Sequence, residues 1–406
     1  MRTIQSDITV VGAGLLGSSV AMHLSASGAK SVTVVDLDLE GTFSSSELNA
    51  GGVRATWNNP VNARISRMSI DYYASVRDEV GFRQKGYFWM FKKEDWERAS
   101  NALKSNPNLK DARIEYLAPA DVTKRFDFLD KTDDLGGATF SPLDGLLNAN
   151  LLKTHYRKRG REKGVGFVNR VWVHHVDVPA SGPITLDAWQ WPEQMDQDEL
   201  KQILTNKETR GADPVRIKTG ALVNCSGAWA RRFANCMGAE CVSQAVRRQV
   251  SLFECKGVDL TPYGMFVDAS GVYFHPEANY ILGGYATVDE PEGYNFEYEG
   301  EPFFEKYVWP ALYERSTKFE NLKHITGWAG LYEVSPDHSG IVGAVKGFRN
   351  VYEAHSFSGR GAMQSFGAGL GLSELILKSR FDSLDLSALS GARFAEGKPV
   401  GESLVI

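Results

Sequence analysis

The first ordered pattern along the chain is "ITVVGAG", a short apolar, β-branched run ending at Gly12. An apolar run of this length predicts a strand buried in a parallel sheet. "LLGSSVAMHLSASG" follows and predicts a helix with Gly28 as its stop signal. "SVTVVD" is a second buried strand, ending in Asp36. Residues 61–141 mix helical segments with the aromatic strand "GYFWMF", on which Tyr87 and Trp89 alternate. "GVGFVNRVWVHHVDV" (164–178) predicts two strands, with His174 and His175 facing opposite ways. The polar stretch near 180–218 reads as a surface β-region with a helical insertion. "GALVNCSGAWARRFANCMG" (220–238) predicts a buried strand, a turn at Ser226-Gly227 and a helix. Strand signals recur in "VRRQVSLFEC", "GVYFHP" and "NYILGGY", and "HSFSGRGAMQSFGAGLGLSELILKSR" (355–380) predicts a glycine-rich turn opening a long helix.

The opening βαβ unit carries G-x-G-x-x-G at its first turn. Gly12 suits the tight turn, Gly14 a close approach of backbone to a pyrophosphate, and Gly17 close packing of helix on strand. Leu15 and Leu16 open the helix whose free N–H groups meet the phosphates. Asp36 follows at the spacing of a ribose-binding acid. A nicotinamide domain continues into further βα units. Here the chain enters a loop containing Ser45, Ser46, Asn49, Ala50, Gly51 and Gly52, whose small side chains and hydroxyls suit a large planar cofactor. The C-terminal turn of Ser358, Gly359, Arg360 and Gly361 begins a helix whose dipole can face the N1–C2=O edge of a flavin. The reading is therefore FAD rather than NAD. Val173, Ser226, Gly227 and Trp229 join the expected cofactor contacts.

The cofactor pieces come from the start, the middle and the end of the chain. The expected fold is α/β plus α+β. A Rossmann-like FAD domain (1–60, 142–244 and 328–406) is interleaved with a second domain on a mixed or antiparallel sheet (61–141 and 245–327). At 406 residues and 43% hydrophobic, the chain can bury such a core. A net charge of -5 with no basic stripe speaks against nucleic acid. Four cysteines without a CxxC pair give no metal spacing and fit reduced thiols. No apolar run has membrane-spanning length, and the first residues enter a strand at once. The expectation is a cytoplasmic protein without a leader or a transmembrane segment; the oligomeric state is left open.

Four pieces together, "VVGAGLLGSS…VVD", "NCSGAWA", "WAGLYEVSPDHSGIVG" and "HSFSGRGAMQSFGAG", resemble the D-amino acid oxidase, glycine oxidase and sarcosine oxidase superfamily. "SELNAGGVR" and "AVRRQV" look most like the branch with dimethylglycine dehydrogenases and FAD-dependent relatives of a mitochondrial complex I assembly factor. The resemblance implies bound FAD and oxidation of a C–N bond in an amine or amino acid, with oxygen or another electron acceptor. By that resemblance Arg54 falls on an arginine beside the flavin, and Trp57 replaces a second one. Met363, with Gln364 next to it, replaces a carboxylate-binding lysine. Ile281 replaces a lysine near flavin N5, and Tyr285 a neighbouring histidine. Gly330 and Asn49 replace residues that carry covalent flavin, so non-covalent FAD is implied; Gly330 and Tyr332 count as cofactor neighbours.

Arg54, Tyr285, His275 and Gln364 are the candidate substrate-site residues. His275 is a possible proton acceptor by residue type and shares a strand face with Tyr273, while His355 precedes the C-terminal motif. The reading is an FAD-dependent amine or amino-acid oxidoreductase, with an N-alkyl amino acid favoured. Its rivals are a flavin enzyme of the hydroxy-acid or glycerol-phosphate type, and a flavin-binding assembly factor that turns over nothing.

Overall fold

The computed structural model describes residues 1–206, 213–402 and 404. Among them lie two eight-stranded sheets and one two-stranded ladder. The first sheet is built around the strand Arg2–Val11. Val32–Val35 pairs parallel on one side and Asp213–Asn224 parallel on the other. Gly166–Val168 and Val351–His355 extend the parallel part outward. Val10, Val34, Leu222 and Val223 are fully buried, as their β-branched or apolar run requires. The helices Leu15–Ala26, Ala149–Glu162 and Gly361–Lys378 pack over one face. The chain leaves Arg2–Val11 toward Val32–Val35 and later returns on its other side as Asp213–Asn224. The carboxyl ends of these strands therefore mark the crevice where such sheets bind ligands.

The second sheet runs Leu322–Val334, Gln244–Cys255, Tyr280–Tyr285, Tyr273–Glu277, Met265–Val267, Tyr87–Lys92, Leu135–Ser141 and Glu115–Leu117. All neighbours are antiparallel except Met265–Val267 with Tyr87–Lys92. Its two faces do different work, because side chains alternate along each strand. Phe88, Phe253, Phe266 and Phe274 point into a core of phenylalanines. Tyr87, Val250, Met265, Tyr273 and Leu282 form the opposite face, toward the crevice.

Strands of the two sheets alternate along the chain, and three details of the elements depart from the sequence reading. The helix Pro60–Ser75, capped by Asn59, packs on the final helix and shares its apolar cluster rather than that of the second sheet. The short strand Met265–Val267 was not anticipated. The register with Ile184–Gln190 slips beside His174 and His175, an irregularity the alternating pattern does not foretell, and both histidines are exposed. The helical insertion is Gln197–Thr205; residues 207–212 of the same stretch lie outside the described residues. Among the described residues no helix is long and apolar enough to cross a membrane, and no cluster of side chains has the makings of a metal site.

Candidate active site

A cavity of about 1010 Å³ opens along the crevice between the two sheets. One end is built from the first βαβ unit. Gly12 has φ +101°, and a Cβ there would stand 2.2 Å from the backbone oxygen of Cys225. Only glycine lets the loop pass so close to the neighbouring strand. A Cβ on Gly17 would stand 1.8 Å from the oxygen of Gly12, so this glycine brings the helix onto the turn as expected. The helix starts after Gly14, and Ser46 Oγ accepts the Leu15 N–H at 3.0 Å. Asp36 accepts the Ala13 N–H at 2.5 Å and the Asp38 N–H at 2.9 Å. Its burial raises the carboxyl above its usual range. Trp172, Val173, His174, Trp189, Leu204 and Trp229 wall this end. The insertion contributes directly, since Leu204 lines the cavity and its carbonyl accepts Trp229 Nε1 at 2.8 Å.

The other end is an aromatic cage around two buried arginines. Arg54 is 1% exposed and Arg360 is 2% exposed. The Arg54 guanidinium lies 3.6 Å from the Trp57 ring centre and 4.4 Å from that of Trp89. Arg360 lies 4.8 Å from the Trp57 ring centre, so both cations approach the same indole. Arg54 donates to the Thr56 carbonyl at 2.6 Å and to the Leu404 carbonyl. Arg360 Nε donates to the Phe357 carbonyl at 3.3 Å, and both its Nη atoms lack a partner. Burial lowers the pKa of both, Arg360 to about 10. Both remain cations at neutral pH. Tyr87, Met265, Tyr273, Tyr332 and Met363 complete the wall. Burial pushes the Tyr87, Tyr273 and Tyr332 phenols up, so they are neutral hydrogen-bonding groups rather than bases.

Glu333 joins the two ends. It is buried and lines the cavity, and its Oε1 accepts the Phe357 N–H at 3.3 Å while its backbone carbonyl accepts the Ser358 N–H at 3.0 Å. It thereby braces a loop in which Ser356, Ser358 and Gly359 all have positive φ, and from which Arg360 rises.

Of the residues singled out in the sequence, Gly12, Gly14, Leu15, Leu16, Asp36, Ser45, Ser46, Asn49, Ala50, Gly51, Gly52, Arg54, Val173, Ser226, Gly227, Trp229, Tyr332, Ser358, Gly359, Arg360, Gly361 and Met363 line the cavity. Gly17 and Gly330 do not. Gly330 packs on Leu48, where a Cβ would stand 3.0 Å from the leucine Cβ. Three candidate substrate-site residues are corrected. Tyr285 stacks on Tyr307 with ring centres 5.3 Å apart, on the phenylalanine side of the sheet. Ile281 lies on that same side, whereas Leu282 faces the crevice. Side chains alternate along a strand, so neither Ile281 nor Tyr285 can reach the crevice from these positions. His275 is buried, with Nδ1 2.9 Å from the Pro276 carbonyl and no place in the cavity wall; burial lowers its pKa. Gln364 is buried between helices and donates to Ser66 Oγ at 3.1 Å. His355 lies 3.0 Å from Glu353 and 2.8 Å from Ser356, also off the cavity. Trp57, Leu204 and Glu333 are wall residues that the sequence did not mark as site residues, whereas Tyr87, a possible roof residue by its place on the aromatic strand, does line the cavity. Glu333 adjoins Tyr332, which was a usable signal; Leu204 had none.

One buried acid beside the cage makes a pH prediction. Asp144 accepts the Ala55 N–H at 3.1 Å and the Thr56 hydroxyl at 3.5 Å, and burial raises its pKa from 3.8 to about 7. Between those values the folded chain holds a proton that the unfolded chain has released, so stability falls as pH rises through the window. Asp144→Asn removes that dependence. Urea unfolding at pH 5 and pH 8 should show the variant gaining on the parent at the higher pH, by on the order of 2–4 kcal/mol. Parallel pH profiles for the two proteins would show that Asp144 is not the group responsible.

Residues 7–375 match the family model described as DAO: FAD dependent oxidoreductase. Two curated relatives are called FAD-dependent oxidoreductase domain-containing protein 1. The Xenopus laevis protein is 26% identical, with 99% of this chain and 85% of the relative aligned. The Bos taurus protein is 25% identical, over 99% and 87%. Among solved structures, L-proline dehydrogenase from P. horikoshii superposes with a TM-score of 0.82 at 20% identity, covering 98% of this chain and 99% of that one. Glycine oxidase from Geobacillus kaustophilus gives 0.75 at 17%, covering 95% and 98%. These solved structures share the fold, and the crevice walls described above fit a dinucleotide that needs a glycine cradle, a helix N-terminus and a buried acid. The chain belongs to the DAO family of FAD-dependent oxidoreductases, and its cofactor is FAD.

Proposed function

We propose that this protein oxidises the C–N bond of an amino acid, an N-alkyl amino acid for preference, at non-covalently held FAD. The observation that carries this reading is the pair of buried arginines, Arg54 and Arg360, that approach the same Trp57 ring at the cavity wall. Among the described residues no carboxylate forms an ion pair with either, and Arg360 presents two nitrogen atoms without partners. Buried charges call for a counter-ion, and a planar guanidinium matches a carboxylate with two parallel bonds. Met265 and Met363 offer apolar wall beside the arginines for an alkyl group on nitrogen.

FAD, when bound, supplies the acceptor for two electrons. The chain's own residues hold the carboxylate, exclude water with the aromatic cage and govern the proton on the amine. No histidine or ionised carboxylate of ordinary basicity lines the cage end among the described residues; His174 is at the dinucleotide end, its ring centre 5.0 Å from that of Trp189. Two nearby cations disfavour an ammonium group. The amine is thus bound in its neutral form, and kcat/KM should rise with pH through the pKa of the free substrate amine.

The test is the visible spectrum of the holoprotein without oxygen as amino acids, N-methyl amino acids, simple amines and hydroxy acids are added in turn. Bleaching by carboxylated amines, with flavin released into solution by acid precipitation, is the expected result. Bleaching by hydroxy acids alone, or by nothing, would replace this reading with one of its rivals. Readmitting air then distinguishes an oxidase from a dehydrogenase.

A further inference from the structure

Arg54 stands on the loop between the short strand Gly52–Val53 and the helix Pro60–Ser75. That loop holds its guanidinium by one bond, from Nη1 to the Thr56 carbonyl at 2.6 Å. The other terminal nitrogen, Nη2, donates to the Leu404 carbonyl, 350 residues further along the chain. Nε is buried and has no partner. An arginine side chain is long and has many rotamers, so one bond within its own loop does not fix where it points. The second bond does so once Leu404 is itself fixed.

Leu404 is fixed in two ways. Its side chain is buried in the same apolar cluster as Ala55, Trp57 and Ile65. Its N–H donates to Glu402 Oε1 at 3.2 Å. Glu402 is buried in turn and ties this segment to the Arg54 loop. Oε1 also accepts the Asn58 N–H at 3.2 Å, and Oε2 accepts the Asn59 N–H at 3.1 Å and Asn62 Nδ2 at 3.4 Å. Asn58 and Asn59 immediately precede the helix Pro60–Ser75, whose positive dipole end favours an anion there. Val400 adds a third stitch. Its carbonyl accepts Asn59 Nδ2 at 2.7 Å, and its N–H donates to Asp337 Oδ2 at 2.8 Å. Asp337 is itself held by Arg393 at 2.8 Å. Val400, Glu402 and Leu404 therefore all bond to the loop that carries Arg54 and Trp57.

We propose that Glu402 is a positioning residue for the substrate carboxylate: it fixes the Leu404 carbonyl, which holds the Arg54 guanidinium in place at the cavity wall. This inference rests on the reading of Arg54 as a carboxylate-binding group. Neither Glu402 nor Leu404 lines the cavity, so both act through Arg54 and take no part in the oxidation. An anchored arginine loses less freedom when a carboxylate binds, and the gain appears in affinity rather than in the rate of flavin reduction.

The experiment compares four holoproteins: the parent, Glu402→Gln, Arg54→Gln and the double variant. Each is titrated without oxygen with N-methylalanine, with N-methylethylamine as the matching amine without a carboxylate, and with butyrate as an unreactive carboxylate read by perturbation of the flavin band. Glutamine at 402 turns one oxygen into an N–H donor facing other donors, so the bonds to the Arg54 loop and to Leu404 weaken. The half-saturating concentrations of N-methylalanine and butyrate should rise about 10-fold, the range of one hydrogen bond to a charged group. The limiting rate of flavin reduction, the response to N-methylethylamine and the flavin content should stay close to the parent's. With Arg54 already replaced, Glu402→Gln should cost nothing further, because the two residues act as one unit. An undiminished loss in the double variant overturns the proposal, since Glu402 then does not act through Arg54. Tighter carboxylate binding in Glu402→Gln also overturns it, because the charge of Glu402 and not its anchoring would then be what matters. If no carboxylated compound perturbs or bleaches the parent flavin, the amino-acid reading falls. Near-ultraviolet circular dichroism then decides the positioning claim, because the Trp57 and Trp89 ring centres lie 3.6 Å and 4.4 Å from the Arg54 guanidinium. A change in Glu402→Gln that is absent in the Arg54→Gln background supports the claim, and no change overturns it. Should Glu402→Gln not fold, a chain ending at Gly401, which lacks both Glu402 and the Leu404 carbonyl, takes its place in the same comparison.

Discussion

Replacing Gly12 with valine should yield a chain with little or no flavin. The position has φ +101°, and an added Cβ would fall 2.2 Å from the Cys225 oxygen and 2.6 Å from its carbonyl carbon. Those are backbone atoms of the adjacent parallel strand, so no rotamer change relieves the clash. The turn must move, and it carries the N–H groups and the helix start that face the cofactor phosphates. Left-handed backbone alone costs a side chain about 1–2 kcal/mol, and the collision adds more. We expect flavin content per chain to fall by at least about tenfold, which a loss of ~1.4 kcal/mol in binding suffices to produce at limiting FAD. Gly28→Ala is the matching control. That glycine also has positive φ, +94°, but has nothing within 4 Å of a built Cβ. It should lower the melting temperature slightly and keep the flavin. The measurement is the ratio of flavin to protein absorbance after gel filtration, with circular dichroism to check folding. A folded Gly12→Val protein with full flavin would remove the phosphate-turn role from this loop.

The second large effect is expected at Arg360. Arg360→Gln removes a buried cation whose two terminal nitrogens have no partner in the chain. Truncating one side of a buried charge pair costs roughly 2–5 kcal/mol, so kcat/KM for a carboxylated amine should fall by about 30- to 1,000-fold or more. The flavin should stay bound, because Gly361 and the helix behind it are intact. Rapid-mixing reduction without oxygen separates the two ways this could arise. If Arg360 holds the carboxylate, the loss appears chiefly in the half-saturating concentration and is much smaller for an amine that lacks a carboxylate. Equal losses for both amines would mean that Arg360 acts on the flavin instead.

The contrast between Gly12 and Tyr285 explains how much could be read in advance. Gly12, Gly14, Gly17 and Asp36 lie within one βαβ unit, where spacing along the chain fixes spacing in space. Ser226-Gly227 and Ser358–Gly361 were legible for the same reason, since each sits where a buried strand or loop turns into a helix. Tyr285 and Ile281 lie on a strand whose pairing partners are far away in sequence. Its face was set by register with Gln244–Cys255 and Tyr273–Glu277, and a one-residue slip changes crevice for core. His275 shares a strand with Tyr273, yet only Tyr273 reaches the cavity, because the loop and strands around them decide which position is left open.

By itself, then, the sequence determined what local pattern can determine: a dinucleotide turn, the flavin-type loop that follows it, and an interleaved two-part chain. Its motifs together indicated the family. The meeting of Arg54 and Arg360 at Trp57 was decided by tertiary structure alone. They come from a loop near position 54 and a helix start at 360, and no periodicity connects them. Whether an arginine is matched also depends on its surroundings in space: Arg247 and Arg248 are adjacent in the chain, but one meets Glu290 and Glu299 while the other stands beside the Tyr332 ring. The chain pattern sets which side of a strand a residue takes. The packing of the two sheets sets whether that side is core, solvent or the wall of a site.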